Sequence, residues 1–221
     1  MNFINPIEIL ELENTDIAVI DNSILKKAKR KLFADIDLSD YGHLDYKGLS
    51  ITKTDCEKVI EELENPNALE FYSHLVSNKL LNDFLINGNE RLFESFKQES
   101  IYKLPEFVKF INPYFSPKFD RAILKAFSDD DEERLRKILR TQVLISTADL
   151  NLAFKGLSVE IQNRLQKVDA ITKEIKNEET DYSDEDIDEV IDLVKDLFPT
   201  ELLNQLPAYF QSQINKIAAS I

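Results

Sequence analysis

The chain has 221 residues, 43% of them apolar and 31% charged, and its 27 bases against 41 acids give a net charge of -14. With a mean hydropathy of -0.30 and no apolar run near the length of a membrane span, it reads as a soluble folded protein of one or two domains. The negative charge puts general binding to nucleic acid or to an anionic membrane surface at an electrostatic disadvantage, so neither is expected as a partner.

The opening MNFINPIEILELEN is acidic and carries Pro6 where a secretory leader would be basic and then apolar, and the single cysteine, Cys56, has no second thiol to pair with. Both features predict a cytoplasmic location. The tract 16–20 alternates weakly and reads as a loop or an edge segment. Ser23 then offers its hydroxyl as the cap of a helix over 23–38, whose apolar stripe is Leu25, Ala28 and Leu32. A polar, glycine-bearing loop over 39–50 follows. Thr52 or Thr54 opens the next helix, with Cys56, Val59, Ile60 and Leu63 on one face, and Asn65-Pro66 stops it because proline disfavours a helical residue before it. Further helices are expected over 67–78, 79–86 and 90–97, the last two divided by Asn87-Gly88-Asn89.

Between Phe93 and Phe127 lie nine of the 21 aromatic residues, and Pro105, Pro113 and Pro117 are expected to cut the helices there short. These rings read as the core where two helical layers meet. Ser128 followed by Asp129, Asp130, Asp131, Glu132 and Glu133 predicts a capped helix start, where acids meet the positive end of the helix dipole, and a helix running to 146. Helices over 158–176 and 183–198 and one from 208 complete an all-α prediction. In the last of these Phe210, Ile214, Ile217 and Ile221 form one stripe, a candidate surface for self-association or for packing on the chain's own helices.

Catalytic groups are sparse. Two histidines, His43 and His74, and one cysteine are too few for a histidine- and cysteine-rich zinc site, and four scattered glycines make no phosphate-cradling loop. No metal, cofactor or catalytic residue is therefore expected. Cys56 on its apolar stripe reads as a buried, inert thiol rather than as half of a dyad with His74. The acidic segment 178–192 has nine acids and no base, but lacks the glycine and terminal glutamate spacing of a calcium loop and reads as a solvated linker. The one concentration of positive charge is Lys26, Lys27, Lys29, Arg30 and Lys31, on the face of its helix away from the apolar stripe; it suits an acidic protein partner, or this protein's own acids.

Three segments carry a family likeness: 5–12 (NPIEILEL), 24–32 (ILKKAKRKL) and 59–75 (VIEELENPNALEFYSHL). In order, they resemble the opening helix, the basic second helix, and the third helix with its Asp-Pro turn in the J domain of DnaJ co-chaperones. The resemblance implies a J-like helical hairpin over 1–78, leaving 79–221 as an all-helical region. It also departs from the family, because Asp37, Leu38 and Ser39 stand where the His-Pro-Asp motif would be; His43 and Asp45 come several residues late. A degenerate J-like domain of this kind implies a non-catalytic protein-interaction adaptor. The alternatives are a co-chaperone that couples to a DnaK-type chaperone through non-standard residues, which the missing motif disfavours, and an acidic inhibitor that mimics nucleic acid.

Overall fold

The computed structural model describes residues 2–39, 42–177 and 191–192. The fold is all-α in class, with one two-stranded sheet among the described residues. It divides into two compact units, Met1–Lys118 and Phe119–Ile221, and the division falls inside a helix rather than near residue 78.

In the first unit, α1 (Pro6–Ile9) starts at Asn5, whose side chain accepts from the Ile7 amide. The tract at 16–20 is a short 3-10 turn, Ile17–Val19, not a strand. Helix α2 (Asn22–Leu38) is capped by Asp21 instead of Ser23: one Asp21 carboxylate oxygen accepts from the amides of Ser23 and Ile24, both at 2.9 Å. An aspartate two residues earlier reaches the first-turn amides equally well, and sequence alone does not choose between two such candidates.

The expected loop over 39–50 holds a β-hairpin, β1 (His43–Tyr46) paired antiparallel with β2 (Leu49–Thr52). Its turn residues Lys47 and Gly48 have φ of 51° and 84°, the pair of positive angles that a two-residue type I′ turn requires and that matches the strands' own twist. The glycine takes that angle freely; Lys47 is held in it by ion pairs to Glu8 and Asp83 at 2.9 and 3.0 Å.

Helix α3 (Lys53–Glu61) starts in a capping box in which Thr52 and Asp55 each accept from the other's backbone amide. Beside α2 and α3, Leu32, Cys56, Ile60 and Leu63 are buried, whereas Leu25, Ala28 and Val59 are only half-buried. Asn65 ends the preceding 3-10 turn and caps α4 (Pro66–Ser77), with Pro66 at the first helical position, where a missing amide costs nothing. Asn78 ends α4 and caps α5 (Lys79–Asn87), and Gly88, at φ 78°, closes it. The helix expected over 90–97 is the single turn α6 (Arg91–Glu94).

Contrary to expectation, Pro113 and Pro117 do not cut the helix; both lie inside α7 (Pro105–Ser128). They are one turn apart and exposed, so the carbonyls of Lys109 and Pro113 that lose an amide partner lie on the same outward face, within reach of water. The opposite face, Phe107, Ile111, Phe115 and Phe119, is 0% exposed and holds the helix straight enough to continue. In the first unit the aromatic cluster is the core the sequence implied: Phe71 meets Phe107 at 5.3 Å, Tyr72 meets Phe110 at 4.8 Å and Phe84 meets Phe115 at 5.0 Å between ring centroids.

In the second unit α7 continues to Ser128, so that residue ends a helix rather than starting one. Asp130 is left-handed at φ 54°, and Asp131 caps α8 (Glu132–Leu139) by accepting from the Arg134 amide at 2.9 Å. A 3-10 turn, Arg140–Leu144, replaces the rest of the expected helix. The last described helix, α9 (Thr147–Asn177), begins well before residue 158 because Ser146 and Asp149 form its cap. Gly156 sits inside it against Leu124 and Asp120 of α7. Within this unit the Arg164 guanidinium, 7% exposed, donates to Asp130 at 2.8 Å and to the Phe127 carbonyl at 2.9 Å, with the Phe127 ring 4.6 Å away.

Candidate functional site

The basic residues of α2 are sorted by their neighbours into two sets. Lys29 pairs with Glu57 of α3 at 3.3 Å and lies over the Phe33 ring, and Lys31 pairs with Glu11. The Glu11 carboxylate raises the affinity of the Lys31 ammonium for its proton. Lys26, Lys27 and Arg30 are exposed and make no ion pair among the described residues. At 100° per residue these three fall within about a quarter-turn of helix, so they form one compact positive face. At the far end of α2, Leu38 is 83% exposed.

Asp37, Leu38 and Ser39, where the His-Pro-Asp motif of a J domain would stand, close α2 and join it to the hairpin. Asp37 accepts from Lys53 at 2.9 Å, and the Ser39 hydroxyl lies 2.8 and 3.1 Å from the carbonyls of Ile36 and His43. Asp45, the displaced aspartate, accepts from the Gly48 amide and so serves the hairpin turn.

Cys56 is 0% exposed, and burial pushes its thiol up to about 11, which leaves it protonated and unreactive at neutral pH. Four of the five acids at 129–133 are spent on the fold: Asp129 pairs with Lys125, Asp130 with Arg164 and Glu133 with Lys137, while Asp131 is the cap. No cluster of three or more metal-ligating side chains occurs among the described residues. No described helix is long and apolar enough to cross a membrane. Phe210, Ile214, Ile217 and Ile221 lie outside the described residues, as does all of the acidic segment 178–192 except Ile191 and Asp192.

One constellation was not visible in the sequence. A cavity of about 530 Å³ opens where the end of α4, the start of α5 and residues 92–102 meet. On its wall Asn78 Nδ2 donates to Glu99 Oε1 at 2.6 Å and to the Tyr102 hydroxyl at 2.8 Å, and that hydroxyl donates to Glu99 Oε1 at 3.1 Å. Burial, and then the negative charge of Glu99, hold the Tyr102 phenol well above the ordinary tyrosine value. His74 Nε2 is buried 3.4 Å from Glu99 Oε2 without making a hydrogen bond. Glu99 and Tyr102 lie 21 and 24 positions beyond Asn78, with α5 and α6 between, so no local spacing betrays the group.

With this geometry, what the fold and surface define is an all-α chain with an exposed basic helix face and a separate small cavity. No family model matches the chain, and no curated protein or solved structure matches it either.

Proposed function

We propose that this chain is a non-catalytic, cytoplasmic protein-interaction adaptor built on a degenerate J-like module, and that it docks an acidic segment of a partner protein on α2. The observation that carries this reading is the exposed trio Lys26, Lys27 and Arg30, left without ion pairs among the described residues of a chain whose net charge is -14. Exposed like charges gathered on one helix face repel one another, and a complementary anion relieves that repulsion. The resemblance of 5–12, 24–32 and 59–75 to the J domain supports a protein as the partner. With Asp37 and Ser39 engaged in closing α2, the adaptor does not couple to a DnaK-type chaperone.

The test is affinity capture from the protein's own cells, followed by association kinetics of the captured partner with the native chain and with K27E/R30E. The variant should keep its fold, associate more slowly, and show a flatter salt dependence, since exposed charges steer encounter and are screened by salt. An unchanged association rate, or stimulation of a DnaK-type ATPase by the native chain, overturns the adaptor reading.

A further inference from the structure

We infer that the cavity beside His74 is a binding site for a small free monocarboxylate carrying an apolar body. Its volume, about 530 Å³, falls within the range of small-molecule sites. The walls divide by chemistry: Leu80, Leu92 and Phe96 are apolar, while Lys79 and Lys97 bring ammonium groups. Neither lysine makes an ion pair among the described residues.

The cavity's one carboxylate, Glu99, is already engaged by Asn78 and Tyr102 and faces His74, so the charge left over at the cavity is positive. Two uncommitted lysines beside a concave surface are a local reversal of the chain's negative charge, and an anion is the group they recognise. The backbone adds to them: the Leu81 amide is taken by the Asn78 side chain, but those of Lys79 and Leu80, the first two of α5, have no acceptor among the described residues.

Three features narrow the anion to a monocarboxylate. Glu99 in the same wall repels a dianion more than a single charge. No arginine lines the cavity to grip a phosphate through two parallel hydrogen bonds. The apolar side of the cavity would leave a bare inorganic anion against Leu92 and Phe96 with nothing to bury, whereas an aromatic or branched aliphatic body covers them. The site shares no residue with the basic face of α2, so it stands or falls independently of the adaptor reading.

The experiment is an amide NMR titration of the full chain with 4-phenylbutyrate, repeated with 4-phenyl-1-butanol and with inorganic phosphate. The acid should give saturable shifts at the amides of Lys79, Leu80 and Leu92. The alcohol, and the acid with K79Q/K97Q, should bind about tenfold more weakly, the ratio that losing one charge-assisted hydrogen bond produces. Both lysines are exposed, so the variant should keep the native spectrum away from the cavity. Absence of saturable shifts, equal binding of acid and alcohol, undiminished binding by K79Q/K97Q, or saturation of the same amides by phosphate at the same concentration overturns the assignment.

Discussion

In the first unit buried polar groups form a web, whereas the second unit relies on one guanidinium. Asn5 and Asn82, both 0% exposed, hydrogen-bond each other at 3.2 Å. Asn5 reaches on to the Tyr72 carbonyl and to the Tyr46 hydroxyl, and Asn82 to Glu8, which also holds Tyr46 and Lys47. Among the described residues of the second unit the buried polar side chains are Thr141, which donates to the Ile138 carbonyl, and Arg164. A web of amides and a phenol gathered on the Glu8 carboxylate fixes how α1, the hairpin and α5 meet; a clamp on one left-handed residue fixes only the turn between α7 and α8. Buried polar networks of the first kind specify geometry at high stakes, because each member left unpaired is costly.

Alkali should break this comparison most completely. Burial, followed by hydrogen bonds to Glu8 and Glu62, holds the phenols of Tyr46 and Tyr72 far above the ordinary value, and burial does the same for Tyr102. A phenol raised in the fold contributes stability that is fully present below its unfolded value, near 10, and is lost as pH rises above it. The described part of the second unit contains no tyrosine. Methyl NMR of the full chain from pH 8 upward should therefore show Ile111 losing its native signal above about pH 10 while Ile138 keeps it. Phenolate absorbance should rise together with that loss, and simultaneous loss of both methyl signals would show that the units do not differ in this way.

A smaller effect is expected from Asn5→Ala. The change removes the α1 cap, leaving the Ile7 amide unpaired, and takes the Asn5 side-chain amide from the Asn82 side-chain oxygen and the Tyr72 carbonyl, which should cost about 3–4 kcal/mol in urea unfolding. The smallest is Asp130→Ala in the second unit. It leaves the buried Arg164 with its Phe127 carbonyl and the longer contact to Glu160 at 3.6 Å, and Asp130 itself is partly exposed. A loss of about 2 kcal/mol follows, less than the roughly 3–5 kcal/mol of breaking a fully buried pair, because solvent reaches Asp130 and screens it. If the two substitutions cost the same, the web carries no more than the clamp and the contrast between the units fails.

Several helix boundaries were legible in the sequence because their signals are local. Thr52 with Asp55, Asn65 with Pro66, and Gly88 each act within a turn of where they stand. The hairpin was not legible: its strands are four residues each and its turn is Lys-Gly, so the signal rests on one glycine. Pro113 and Pro117 misled because their cost depends on which face they occupy, and that face is set by Phe107, Ile111 and Phe115 packing on other helices. The basic run of α2 was visible, but which bases remain free depended on Glu11 and Glu57, distant in sequence. The cavity drew on three elements at once and left no local trace.

The hydrogen bond between Asn5 and Asn82 spans 77 positions, and that separation sets a waiting time during synthesis. At about 5–20 residues per second, residue 82 is added roughly 4–15 s after residue 5. Throughout that interval Asn5, fully buried in the finished fold, lacks its Asn82 partner. The segment around Asn5 thus acquires its full set of partners only once α5 has been made. A nascent-chain binder of apolar peptides would meet it in that window, and a bulky fusion placed before Phe3 would have to be accommodated in the same step.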